Sequence, residues 1–414
     1  MKKILFIHQN FPAQFVHLSR YLKNLSYDVQ SMSYSDKCLQ GIPHHKCVCK
    51  RSNTKNVHPL VMEFESKILR AETTLKKCRE LYTNNKYYPD IIIAHCGWGE
   101  SLLLKLLWPK TKIIDYMELY YDNSNAKLIT RNAPYLISLT NSDAFVSPTL
   151  YQRNTFPKEF HNKIQIIFEG INTDKFKRQE NNCLKIGLLK NENVKWKHKI
   201  VYDSEDNNYS KIYNIDRRKD KVITFISRDL TPVRGYNTFM YSLPNILEKN
   251  PNAYVIIVGG DGNSYINAPP DGKTYKDIFF NRVKDKIKDT SRIFFLGKVI
   301  QKSLIDILSM SSVHVYLTDP FCLSWSFMES LSTSAIIVSS DNEPVNHVLK
   351  DKYNGLLIKS NNHNELGNKV NNVLENPEKY EYIRDNARKT IIDNYDLYNV
   401  CIPKYVKLIE KLLS

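Results

Sequence analysis

The sequence holds no run of 18 apolar residues, so none of it reads as a helix that spans a bilayer. Its opening, MKKILFIH, has too short an apolar stretch for a secretory leader, and polar residues follow at once. Cys38, Cys78, Cys96, Cys183, Cys322 and Cys401 stand singly, without the paired spacing of a disulfide framework or a zinc site. The one metal-like cluster, His44-His45-Lys46-Cys47-Val48-Cys49, lacks a second ligand pair and reads as a loop of free thiols; no metal is expected. A reducing cytoplasm fits this cysteine usage. Glycine is missing where a dinucleotide enzyme needs it, since His8-Gln9-Asn10-Phe11-Pro12-Ala13 follows the first strand without one. There is no P-loop lysine motif either, so nicotinamide, flavin and P-loop chemistry are set aside. Short-period repeats are absent. So is the aromatic–basic alternation of a nucleic-acid module, and no nucleic-acid partner is expected.

What is present is a chain of 414 residues, too long for one ordinary core, with 42% hydrophobic residues to fill two. Lysine and arginine number 59 against 43 acidic residues, a net charge of +16. That excess suits an anionic partner such as a phosphate-bearing substrate or an acidic membrane surface. A solvated surface of dispersed lysines is the bland alternative. A basic helix over residues 65–83, with Lys67, Arg70, Lys76, Lys77 and Arg79, predicts peripheral contact at the inner membrane face.

Buried strands alternate with amphipathic segments, the mark of parallel α/β construction. Strands are expected at 3–8, 91–95, 112–117, 144–147 and 164–168, with helices at 14–25 and 100–107. Residues 171–220 are rich in Asn, Lys and Asp and read as linker plus a poorly defined insertion. Regular order returns with strands at 222–227, 254–258, 292–296, 313–317, 335–339 and 356–358, and residues from 364 on read as helical. The expected domains are 1–175 and 221–397, with 176–220 between them and a helix at 398–414 packing back on the first.

The stretch 313–340 organises the second domain. A strand leads through a turn at Asp319-Pro320 into an irregular run, and a helix starts near Ser326. A helix N-terminus at the carboxyl end of a parallel sheet favours phosphate. Glu329, one turn in, suits ribose hydroxyls; Ser326-Phe327-Met328-Glu329 also fits a capping box, in which Glu329 only satisfies a backbone donor. Arg228 and Arg234, at the end of the domain's first strand, form a diphosphate clamp that needs no metal.

Several long stretches occur in a familiar order: KILFIHQNFPAQF (3–15), AHCGWGES (94–101), FEGINTD (168–174), SRDLTPVRG (227–235), VGGDGNSY (258–265) and 313–346. With them the chain resembles bacterial retaining glycosyltransferases of family 4, over nearly its whole length except roughly 40–85 and 175–220. The resemblance implies a GT-B fold, two Rossmann-like parallel-sheet domains facing a central cleft. It implies sugar transfer from a nucleotide-sugar co-substrate to a glycan, lipid-linked or other acceptor, with retention, and with no further cofactor. In that scheme Arg228 and Arg234 hold the donor diphosphate with Leu323, Ser324 and Trp325. Glu329 meets the ribose, Gly259, Gly260 and Asp261 line the donor site, and Gly297 lies beside the base. His95 sits near the donor sugar as a catalytic residue with Glu329, and His8, Gln9 and Asn10 face the acceptor. Two positions depart from the family. Phe321 stands eight residues before Glu329, where the first of two paired acids is expected, and Ala13 stands where glycine is common. A nucleotide-sugar epimerase and a non-catalytic partner subunit are the alternative readings.

Overall fold

A computed structural model describes every residue except 123, 192 and 203–207, and the side chain of Asp271. The chain forms two compact units, residues 1–170 with 397–414, and residues 171–396.

The first unit is built on seven parallel strands: β1 (Lys3–Ile7), β2 (Asp28–Ser33), β3 (His44–Lys46), β4 (Ile91–His95), β5 (Lys112–Tyr116), β6 (Ala144–Ser147) and β7 (Ile164–Ile166). Their spatial order is β3-β2-β1-β4-β5-β6-β7. Sheets buried on both faces need strands that are apolar throughout. In β1, Ile4 and Phe6 enter one core and Leu5 and Ile7 the other. The helix Ile402–Leu413 closes the first of these cores with Tyr405, Leu408 and Ile409.

Three expectations for this unit need correction. Residues 100–107 are not an α-helix: turns lead into a single 3₁₀ turn, Leu104–Leu106, because Glu100 and Ser101 are drawn inside and Ser101 donates to Asp115 at 3.0 Å. The basic helix is longer, Pro59–Asn85, begun by Pro59 at the first helical position and by the His58 side chain accepting from the Leu60 N–H. Two of its five basic residues face inward, with Lys67 and Arg70 against the Trp98 ring at 4.8 and 6.0 Å. The His44–Cys49 cluster is only partly a loop: His44–Lys46 is the edge strand β3 and His44 bonds the buried Ser31 and Ser33, while Cys47, buried, and Cys49, exposed, follow it as free thiols. Serines inside β2 hid both strands from hydropathy.

The second unit holds β8 (Cys183–Leu189), β9 (His198–Ile200), β10 (Tyr209–Asp216), β11 (Val222–Asp229), β12 (Tyr254–Gly260), β13 (Ile293–Gly297), β14 (Val313–Tyr316), β15 (Ile337–Ser340) and β16 (Leu356–Ile358). The last six form a parallel sheet in the order β13-β12-β11-β14-β15-β16. That is the doubly wound order, whose carboxyl edge is the usual ligand site. The stretch expected as linker and insertion carries a separate antiparallel sheet, β10-β8-β9, with 192 and 203–207 outside the described residues. One of its faces is more open to water, where polar residues such as Lys185, Ser210 and Asn214 are exposed. Leu184, Ile186 and Ile215 point the other way, onto Ile226, Val258 and Phe294. Half the apolar signal of a parallel strand was enough to build it and too little to announce it.

Candidate functional site

The carboxyl edge of the six-stranded sheet gathers the donor-side residues of the second unit. Arg228 is exposed at the end of β11. Arg234 sits on the 3₁₀ turn Pro232–Arg234 that follows, only 9% exposed. Its guanidinium donates to the Thr318 hydroxyl at 3.0 Å and lies 5.3 Å from the Tyr265 ring centre and 5.7 Å from that of Phe321. No described carboxylate pairs with it. A buried guanidinium has five N–H donors, and aromatic faces satisfy its charge without using those donors. Phe321 packs on Tyr265 at 4.7 Å, so the side chain at the missing acid's position helps to shelf the arginine. Burial raises the neighbouring Asp319 carboxyl above its ordinary range, and Arg234 pulls it back.

Gly235 has φ +68°, and a Cβ there would fall 2.1 Å from the Leu317 Cβ, so the turn can lie this close to the end of β14 only without a side chain. Gly235→Ala is therefore expected to cost at least about 1 kcal/mol of stability, through strain and overpacking together. An unchanged denaturant midpoint would show that the turn tolerates the shift.

The helix after β14 spans Trp325–Ser332. Ser324 is its N-cap, accepting from the Phe327 N–H at 3.2 Å, while the Ser324 N–H donates to the Tyr316 hydroxyl at 3.3 Å. The capping-box reading of Glu329 is thereby overturned. The cap is two residues earlier than Ser326, and Phe327 occupies the third helical position where a box needs an acid. Glu329 is 9% exposed and its carboxyl bonds no described residue. Burial pushes that carboxyl up to about 7, with the Lys175 charge opposing. Leu323 is buried behind the cap and Trp325 is exposed in front of it.

Gly259 and Gly260 end β12. There Asp229, buried and unremarked in the sequence, accepts from the Gly262 N–H at 3.2 Å and from the Ser264 hydroxyl, and lies 3.6 Å from the Lys298 ammonium. It ties the β11 and β12 loops together, and its signal was only its place beside Arg228. Asp261 and Gly297 are already engaged. Lys195 pairs with Asp261 at 2.7 Å, and the Trp196 ring covers Gly297, whose φ is +67° and whose added Cβ would fall 2.8 Å from the indole. Both covering residues come from the stretch between β8 and β9 that composition presented as linker.

In the first unit, His8 follows β1 and His95 ends β4, both buried, with ring centres 5.3 Å apart. The Asn10 N–H donates to His8 Nδ1 at 2.9 Å, which leaves the proton on Nε2. Burial first, then the charge of His95, hold the His8 imidazole down to about 3. His95 Nε2 lies 3.3 Å from the Glu118 carboxylate. Burial, the largest influence, would raise the Glu118 carboxyl, but the hydrogen bond and the charge of His95 together leave the group below its ordinary range. Gln9 is half-buried and Asn10 exposed. Ala13 keeps φ at +39°, the left-handed conformation that explains why glycine suits this position. Glu100, 1% exposed, went unnoticed because the expected helix put it in an exposed first turn. Among the described residues no group of three or more His, Cys, Asp or Glu is placed to hold a metal ion.

Residues 27–176 match the glycosyl transferase family 4 group, and residues 208–390 match the glycosyl transferases group 1 family. Two uncharacterized glycosyltransferases of Methanocaldococcus jannaschii are 22% and 24% identical over 71% and 58% of this chain. The chain spans 63% and 52% of their lengths. Three solved structures share the fold over at least 99% of both chains. A glycosyltransferase from Rickettsia africae has a TM-score of 0.68 at 16% identity, and a sucrose-phosphate synthase from Thermosynechococcus elongatus 0.71 at 13%. An Anabaena protein solved with UDP-glucose has 0.69 at 12%. With its two doubly wound sheets and a family match in each half, the chain belongs to the family 4 glycosyltransferases of GT-B fold.

Proposed function

We propose that this protein transfers a sugar from a nucleoside-diphosphate sugar to a hydroxyl of a glycan or lipid-linked acceptor, with retention of configuration and without a metal ion. The observation that carries the reading is a buried guanidinium, Arg234, and a buried carboxyl, Glu329, neither held in an ion pair among the described residues, along one sheet edge. Unpaired buried charge is costly and is kept where a ligand completes it. Arg228, Arg234 and the N–H groups at the start of the helix Trp325–Ser332 receive the diphosphate. As the bond from the anomeric carbon to the diphosphate oxygen breaks, the departing charge falls on the guanidiniums. Glu329 accepts from the ribose. The first unit takes the acceptor, with His8, Gln9 and Asn10 after β1, and His95 at the end of β4 is its catalytic residue. The Anabaena structure supports a uridine nucleotide as the first donor to try.

A thermal-shift panel of UDP, ADP and GDP tests this, because a ligand bound only by the native state raises the melting temperature. No shift with any of the three would remove the donor site. The partner-subunit reading has one observation behind it, Phe321 at the place of an acid. Binding without turnover of any nucleotide sugar would favour it, and product formed from donor alone would mean an epimerase.

Peripheral membrane contact fits the first unit better through apolar side chains than through the helix's lysines. Val61, Met62, Ile129 and Leu136 are exposed on three mutually packed helices, beside Lys127. No helix among the described residues is long and apolar enough to cross a membrane. Co-sedimentation with anionic vesicles is expected, partly reversed by salt. Equal recovery with and without vesicles would place the protein away from the cytoplasmic membrane face.

A further inference from the structure

In the second unit, residues 173–181 run as a strap beside the helix Gln301–Met310, and the Gln179 N–H donates to the Ser309 hydroxyl at 3.0 Å. Three arginines fix the strap and the strand starts behind it. Arg388 donates to the Phe176, Ser332 and Thr173 carbonyls at 3.2, 2.7 and 3.3 Å. Arg217 donates to those of Gln179 and Ser309 at 3.2 and 2.9 Å. Arg384 donates to those of Ser334 and Ser312 at 2.9 and 3.2 Å and pairs with Glu381 at 3.1 Å. Each of these guanidiniums is spent on the backbone. Arg178, on the strap between them, is half-buried yet forms no hydrogen bond or ion pair among the described residues. Burial first, then the charges of Arg384 and Arg217, hold it down to about 10, with Glu381 opposing. A guanidinium presents five donors in a planar fork, and the complement of that fork is a phosphate or a carboxylate.

Between strap and helix lies an open cleft of about 840 Å³, lined by Arg178. Small-molecule sites have this size. Its lining is mixed. Lys177 and Arg178 are cationic, Asp174 and Glu180 bring carboxylates, and Ile305 of the helix is apolar. A bare anion would meet the carboxylates, and a neutral sugar would leave the fork unpaired. A phosphate ester of a sugar or polyol answers both, because its phosphoryl oxygens accept and its hydroxyls donate. Arg178 also stands away from the donor edge. The carbonyls that Arg384 holds, Ser312 and Ser334, come just before β14 and β15, at the amino edge of the same sheet.

We propose that this cleft binds a phosphorylated sugar or polyol, with the phosphoryl group on Arg178 and hydroxyls against Asp174 and Glu180. None of these residues belongs to the donor or acceptor set, so the occupant is an effector rather than a substrate, and the site does not depend on the donor reading.

The test is calorimetric titration of the full chain carrying Arg228→Ala and Arg234→Ala, so that the donor edge does not contribute. The probes are D-glucose 6-phosphate, glycerol 3-phosphate, inorganic phosphate and D-glucose at constant ionic strength. At least one ester is expected to bind, with inorganic phosphate much weaker and glucose silent. Adding Arg178→Gln should weaken the ester about tenfold or more, and Arg178→Lys should weaken it less. Since Arg178 bonds no described residue, Arg178→Gln alone should melt no lower than wild type and keep the wild-type thermal shift with UDP. Silence from both esters overturns the site, and so does equal affinity with and without Arg178. Inorganic phosphate bound as tightly as the esters overturns the part given to Asp174 and Glu180. A wild-type protein that UDP does not shift, but whose ester binding needs Arg178, strikes the donor reading and leaves this one standing.

Discussion

Arg234→Ala is expected to weaken nucleoside-diphosphate binding by roughly ten- to a hundredfold, and turnover at low donor concentration by as much. The estimate follows from losing charge-assisted hydrogen bonds worth about 1.5–3 kcal/mol, in a setting that water screens poorly. Arg228→Ala should cost less, because Arg228 is exposed and its charge is screened. Arg234→Lys should recover only part of the loss, since an ammonium cannot spread over two aromatic faces and still present a planar fork. Stability gives an independent axis. Arg234 makes one side-chain hydrogen bond among the described residues, to Thr318, so its removal should disturb folding far less than it disturbs binding. Calorimetric titration of the three proteins with the nucleotide that gives the largest thermal shift would decide the matter. Equal affinities for wild type and Arg234→Ala would mean that the arginine only props up Tyr265 and Phe321.

The second large effect concerns Glu329. With its carboxyl raised to about 7, the native state keeps a proton that the unfolded chain releases near its ordinary 4.5. Between those values the native state binds more protons than the unfolded one, so stability falls as pH rises through the window. Above it the full penalty applies, on the order of 3 kcal/mol. Glu329→Gln removes the ionisation and keeps the shape. The variant should melt higher than wild type at pH 8, with the gap closing toward pH 4.5. Its kcat/KM should fall by about tenfold or more, because an amide is a weaker acceptor for ribose hydroxyls. A capping residue would give the opposite pair, little change in activity and about 1 kcal/mol lost when truncated to alanine. A Glu329→Gln protein with wild-type turnover and a flat pH difference would return this acid to a purely structural role.

Most strands of the two large sheets could be read directly because both faces of those sheets are covered, which demands apolar residues at every position. The failures share a physical cause as well. β2 carries buried serines that hydrogen-bond His44, and the antiparallel β10-β8-β9 sheet spends half its positions on water, so neither leaves a continuous hydrophobic trace. Site residues divide the same way. Arg228 and Arg234 were legible from their places at a strand end. Lys195 and Trp196 were not, because their importance comes only from folding over Asp261 and Gly297. Glu329 was ambiguous because two serines precede it within five residues. Only the extended backbone of Ser324, φ −80° and ψ 148°, settles which one caps.

The first unit is not contiguous in the chain, and this bears on the order in which the protein is made. Its core is closed by Tyr405, Leu408 and Ile409, which leave the ribosome more than two hundred residues after β7. The second unit, unbroken from 171 to 396, has all its strands available before then. During synthesis the sheet that comes first in the chain must therefore wait with one face only partly covered, by Phe15, Leu18 and Leu22, while the later sheet completes itself. A stalled or shortened product ending before residue 402 should hold a finished second unit beside an exposed apolar face on the first, the kind of surface that recruits chaperones.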